Sequence, residues 1–177
     1  ISFIFNVSNI CFPAGTPIVT DQGLIHIEKI NSDIHTIRNK KIVGITQIYS
    51  IDKFWVCFEK DALGENIPSK KTIISKNHEI LYKGKMTKAK EFIHMFENVY
   101  KIKSKGEILY NVLMEKHDKM IVNNLICETL HPENEMAKLY QMLQVLSPME
   151  KQKLIKNVNK YIETNKIFAS KKWIKRE

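Results

Sequence analysis

The chain has 177 residues and a formal net charge of +9, with 44% hydrophobic and 27% charged residues. This is the make-up of one soluble domain with a real core, or of one domain with a small appendage. No stretch approaches the roughly 20 apolar residues of a membrane span, and Ile1 to Ile10 lacks the basic flank of a signal peptide. Three cysteines without short spacing, Cys11, Cys57 and Cys127, exclude a disulfide scaffold and a zinc site. They fit a reducing compartment, in which a nucleophilic thiol stays free. The first residue is Ile, so the chain reads as a piece of a longer polypeptide.

In chain order, Ile1 to Phe5 opens as a short apolar run, and Cys11 to Ile18 follows as a Gly/Pro-punctuated turn. Up to about Leu130 the pattern is β. Short runs rich in Ile, Val, Tyr and Phe alternate with turn residues. Strands are expected at Pro17 to Thr20, Leu24 to Ile27, Ile42 to Tyr49, Phe54 to Phe58, Lys71 to Ser75, Glu79 to Tyr82, Ile108 to Met114 and Met120 to Val122. Asp21-Gln22-Gly23 joins two of them, and Asn123-Asn124 suits a two-residue hairpin, since Asn tolerates positive φ. Residues 63–70 read as a loop, and residues 88–96 as a short helix. After Leu130 the period becomes helical. Met136, Leu139, Tyr140, Leu143 and Leu146 share one face. Ser147-Pro148-Met149-Glu150 is a capping box with Pro at the first helical position. Leu154, Ile155, Val158, Tyr161 and Ile162 stripe a second helix. Residues 135–177 hold ten Lys and Arg against four Glu. Such a tail is a solvated face, or a contact for nucleic acid, an anionic surface or a partner protein.

A faint internal repeat runs through the β part. Residues 35–43 resemble residues 100–109, and His78-Glu79 before Lys83-Gly84 is matched by His117-Asp118 before Asn123-Asn124. This implies a duplicated β unit whose two histidines occupy related places.

The chemistry centres on Cys11. A thiol there can reach back to the carbonyl of Ile10, turning the peptide bond into a thioester and freeing its own amine. That exchange is uphill for an ordinary amide. The fold must lower the thiol's proton affinity, protonate the departing nitrogen, and stabilise or strain the scissile unit. Ser75-Lys76-Asn77-His78 supplies a hydroxyl and an imidazole. His78 is the expected proton donor, and Ser75 the expected hydrogen-bonding partner of the scissile region. His117 is a candidate for polarising the thioester, and Asp118 for activating an incoming nucleophile. Cys127 is either a second acyl acceptor or a core residue, and Cys57 is core. Ile10 is β-branched and is expected to slow attack on its carbonyl. No metal or cofactor is called for.

Cys11, Phe12, Gly15 and Thr16 resemble the Cys-Phe-x-x-Gly-Thr opening of Hint modules, the self-processing domains of hedgehog proteins and inteins. Ser75 and His78 resemble the family's Thr-x-x-His motif, with Ser for Thr. Residues 110–117 resemble its late motif ending in histidine, although Asn111 stands where many members carry Asp. Residues 110–132 also resemble Hint modules at the C-termini of large-DNA-virus proteins. The resemblance implies a mostly β, pseudo-twofold Hint fold with a C-terminal α-helical hairpin. The expected organisation is an upstream segment at residues 1–10, the autoprocessing domain at 11–130 and a basic two-helix extension at 131–177. Inteins close with His-Asn, whereas this chain has Glu128-Thr129 or Cys127-Glu128 there, neither with an Asn, and continues beyond. The implied activity is therefore single-turnover N-to-S acyl shift at Cys11 without splicing. The thioester would then be captured by water, a thiol, an amine or an alcohol, with the upstream segment of its own precursor as substrate. The expected setting is an intracellular, reducing compartment, or a virion if the resemblance to viral Hint modules holds. The competing reading is an inactive Hint fold that binds a partner or nucleic acid through its basic helices.

Overall fold

The computed structural model describes residues 10–50, 52–154 and 157. Alternation of apolar and polar residues becomes strand geometry wherever it occurs. Ile18 and Thr20 turn inward from one strand, and Met120 and Val122 from another, while their neighbours face out. The strands are β1 (Phe12–Pro13), β2 (Pro17–Thr20), β3 (Gly23–His26), β4 (Thr36–Ile37), β5 (Lys40–Tyr49), β6 (Phe54–Phe58) and β7 (Thr72–Ser75). They continue with β8 (Glu79–Tyr82), β9 (Lys85–Lys88), β10 (Val99–Lys103), β11 (Ile108–Met114), β12 (Lys119–Val122) and β13 (Leu125–Glu128). Short 3₁₀ turns cover Ile27–Lys29 and Ala89–His94, the second where a short helix is expected. The helix α1 is Glu135–Gln144.

The strands form antiparallel sheets ordered β1-β11-β5-β4, β10-β6-β7 and β12-β13-β8-β9, with β2-β3 as a separate ribbon. One core runs through them, built on Phe12, Ile18, Ile42, Phe58, Phe92 and Leu125. Phe92 meets Phe58 and Tyr82 edge-on at ring separations of 5.5 and 5.4 Å, the arrangement that aromatic quadrupoles favour. A smaller cluster holds Cys11, Trp55 and Leu109. Cys57 and Cys127 are fully buried in the sheets, so the residue offered as a second acyl acceptor is core.

The internal repeat is only partly structural. Lys83-Gly84 and Asn123-Asn124 both turn through positive φ, and the two hairpins they close, β8–β9 and β12–β13, lie side by side in one sheet. Residues 35–43 and 100–109 differ. β4 pairs with β5 across Arg38-Asn39, whereas β10 pairs with β6 and not with β11.

The chain divides into two compact units, residues 1–137 and 138–177. In α1 and just beyond it the face predicted apolar, Met136, Leu139, Tyr140, Leu143 and Leu146, is the half-buried one. The capping box forms as the sequence requires. Ser147 N–H and its hydroxyl both donate to Glu150 Oε2, at 2.8 and 2.7 Å, and helix follows over residues 148–154. The first apolar run, Ile155, Val158, Tyr161, Ile162, Trp173 and the basic end at Lys171 to Glu177 lie outside the described residues. Among the described residues no helix is long and apolar enough to cross a membrane.

Candidate active site

Cys11 sits directly before β1. That strand pairs with β11 at Phe12↔Tyr110, so one more step of the same register brings Cys11 opposite Asn111. On its other side Cys11 meets the end of β7. The Cys11 N–H donates to Ser75 Oγ at 2.8 Å, and the Ser75 N–H donates to the Cys11 carbonyl at 3.1 Å. The turn after β1 explains the spacing of the opening motif. Gly15 adopts φ 82°, open to glycine and strained for other residues, and its N–H donates to Glu28 Oε2 at 2.8 Å. Thr16 Oγ1 closes the turn on the Pro13 carbonyl at 2.7 Å.

The carbonyl of Ile10 accepts from Asn111 Nδ2 at 2.5 Å. Asn111 is fully buried, and its own Oδ1 accepts the Val112 N–H at 2.8 Å, which fixes which end of the amide faces Ile10. Both polar atoms of the Ile10–Cys11 peptide unit are thus held, the oxygen by β11 and the nitrogen by β7. Asn111 does not feature among the catalytic candidates drawn from the sequence. Its place in the late motif was visible, but an amide where an acid is usual conceals a donor role.

His78 is delivered by a tight turn in which its N–H donates to the Ser75 carbonyl at 3.1 Å. Its ring is fully buried and lies against Phe12, centroids 4.4 Å apart. Nε2 is 2.9 Å from the Glu128 carbonyl oxygen. A carbonyl can only accept, so Nε2 carries the hydrogen and Nδ1 presents a lone pair. Nδ1 is buried without a hydrogen-bond partner, and the ring interacts with the backbone of Cys11. Burial pushes the imidazole down to about 4; the contacts with Glu128 and Cys11 oppose this, and His117 adds to it. The ring is therefore neutral near pH 7.

The Cys11 thiol corrects one expectation. Burial pushes it well above its ordinary value, the charge of Asp52 adds to this, and only the Ile10 backbone opposes. A buried neutral thiol needs a base to take its proton as it attacks. Asp52 is a second residue not read from the sequence. One carboxylate oxygen pairs with Lys76 Nζ at 2.8 Å, and the other is buried without a hydrogen-bond partner. Nothing local marks an Asp between Ile51 and Lys53 as special; its meaning comes from long-range folding.

The remaining candidates separate. His117 Nε2 pairs with Glu128 Oε2 at 3.0 Å, which connects it to His78 through residue 128. The Asp118 carboxylate instead pairs with Arg38 at 2.9 Å and Lys40 at 2.5 Å. Thr129, which follows Glu128, spends its hydroxyl on the backbone of Asp118.

The profile of the Hint domain family matches residues 10–134. Among solved structures the chain is similar to the Ssp DnaB mini-intein variant M86, with 10% identity over 70% of this chain and 96% of that one, at a TM-score of 0.47. It is also similar to a DnaB intein from Synechocystis sp. PCC 6803, with 11% identity over 69% and 99% of the two chains and a TM-score of 0.46. No curated protein matches the sequence. The profile spans the thiol, the Ser75–His78 turn and the late histidine in one continuous match, and the chain belongs to the Hint family of self-processing domains.

Proposed function

We propose that the chain cleaves its own precursor at Ile10–Cys11 by an N-to-S acyl shift. The Cys11 sulfur bonds to the Ile10 carbonyl carbon, and the carbon–nitrogen bond to Cys11 breaks. The thiol proton passes to His78 Nδ1 and from there to the departing Cys11 nitrogen, so the imidazole is neutral before and after. Asn111 Nδ2 donates to the oxygen as negative charge gathers on it. Ser75 holds the nitrogen side of the bond. An incoming water, thiol, amine or alcohol then attacks the thioester, and its proton passes by way of the Asp52 carboxylate oxygen that lacks a hydrogen-bond partner to the Cys11 sulfur, which leaves as the neutral thiol. The absence of Asn at residues 128–129 leaves no side chain there to cut a second junction, so splicing is not part of this reading.

The observation that carries the proposal is the double grip on one peptide unit, Ile10 O by Asn111 and Cys11 N by Ser75. The test is a fusion with a reporter upstream of Ile1, incubated with dithiothreitol and followed by intact-mass spectrometry. The expected products are the upstream piece ending at Ile10, as its thiol adduct, and a chain beginning at Cys11. Cys11→Ala should give neither. A fusion that stays whole, or that breaks equally well in Cys11→Ala, ends the proposal.

A further inference from the structure

Glu128 is a buried carboxylate, and its main-chain carbonyl and both carboxylate oxygens are in use. Its main-chain carbonyl accepts from His78 Nε2 at 2.9 Å. Its Oε1 accepts the N–H of Glu79, the residue next to His78, at 3.0 Å. Its Oε2 takes His117 Nε2 at 3.0 Å. Residue 128 therefore grips the ring of His78 and the backbone one residue further on, from a strand that pairs with β8 at Cys127↔Ile80. His117 in turn rests against His131, ring centroids 4.8 Å apart.

We propose that Glu128 and His117 form a positioning dyad for His78, fixing the tautomer that carries its hydrogen on Nε2. This inference rests on the cleavage reading above. The geometry makes the dyad specific for orientation. If the 128 carbonyl shifted, His78 would lose the only partner of its Nε2–H and the ring could reverse its proton. The carboxylate keeps that carbonyl in place by tying β13 to the start of β8 and to the loop before β12. Pairing is what makes a buried carboxylate tolerable here. Burial and the charge of Glu79 push Glu128 above the usual carboxylate range, and His117 opposes this. The other titratable and charged groups about the dyad are the ring of His131 against His117, Lys119 opposite Glu128 in the β12–β13 register, and Asp118 with its partners Arg38 and Lys40.

Two readouts test this. In Cys11→Ala protein, which cannot cleave, nitrogen NMR of the histidine rings reports the His78 tautomer without any activity. It is expected to be a single Nε2–H form, and Glu128→Gln and His117→Gln are expected to mix it with the Nδ1–H form. In the active chain each variant should lower the plateau rate of thiol-induced cleavage about tenfold. Glu128→Gln should also move the acid limb down to that of His78 alone, because the second titrating group is gone. His117→Gln breaks the dyad from its half-exposed side, so it serves even if Glu128→Gln does not fold. Folded variants that keep one Nε2–H tautomer overturn the proposal, as does cleavage with unchanged plateau and limb. Failure of the unsubstituted chain to cleave would instead remove the parent reading, with the tautomer result left standing by itself.

Discussion

In the proposed reaction Asn111 and His78 serve opposite ends of the same bond, and their substitutions should differ in kind. Removing an oxyanion donor typically costs about 10²–10³ in rate, so Asn111→Ala should slow thiol-induced cleavage by that much while leaving its pH profile unchanged. Asn111→Asp places a titratable group against the Ile10 carbonyl. Its cleavage should fall further as the new carboxyl ionises, which a rate–pH series reads directly. His78 has a signature in stability as well. Its imidazole is held down to about 4 by burial, against an ordinary value near 6.5. Between those two values the unfolded chain binds more protons than the folded one, so stability rises with pH there. The contribution is complete above about 6.5 and is lost as pH falls through about 4, on the order of 3 kcal/mol. Urea titrations at pH 4.5 and 7 should show this loss in the parent chain, and His78→Gln should remove the part of the slope that His78 supplies.

The β12–β13 hairpin connects local turn chemistry to the reaction. Asn123 and Asn124 hold φ of 47° and 66°, and Asn123 Nδ2 donates to Thr72 Oγ1 at 2.9 Å. A β-branched residue is strained in that conformation. Asn123→Val should cost about 2 kcal/mol in urea unfolding, and cleavage should slow too, because β13 carries the carbonyl that holds His78. This hairpin was readable from sequence because its turn requires residues that tolerate positive φ. Phe54–Phe58, Glu79–Tyr82 and Ile108–Met114 were likewise readable to the residue, since alternation and turn signals bound them on both sides. β1 and β4 were not. Each has two residues and exists only because a longer strand pairs with it. β10 is missing from the expected strands, because its Lys residues mask the alternation until β6 lies beside it. The site divides in the same way. Cys11, Ser75 and His78 carry local motif signals, while Asp52 and Glu128 acquire their roles from partners 24 and 50 residues away.

Across the whole molecule the aromatic centre and the reactive end are separate investments in the same core. Phe92 packs on Phe58 and Tyr82 in a cluster that does not include Cys11, so Phe92→Ala should lower unfolding stability by about 3–5 kcal/mol. Below its reduced melting temperature its cleavage rate should stay close to that of the parent chain, as parallel urea and mass-spectrometric series would show. The pairing of Cys11 with Ser75 has a different consequence. The Ser75 N–H holds the carbonyl of residue 11, on the far side of the bond that breaks. In the proposed reaction this hydrogen bond would keep the new amino terminus moored within reach of its former acyl carbon. Return to the amide would then be as well organised as departure, and the proposed exchange would rest on its uncut side. On the proposed mechanism the supply of a captor would govern how fast the precursor disappears, and the junction would behave as a bond kept in reserve until something arrives to claim the acyl group.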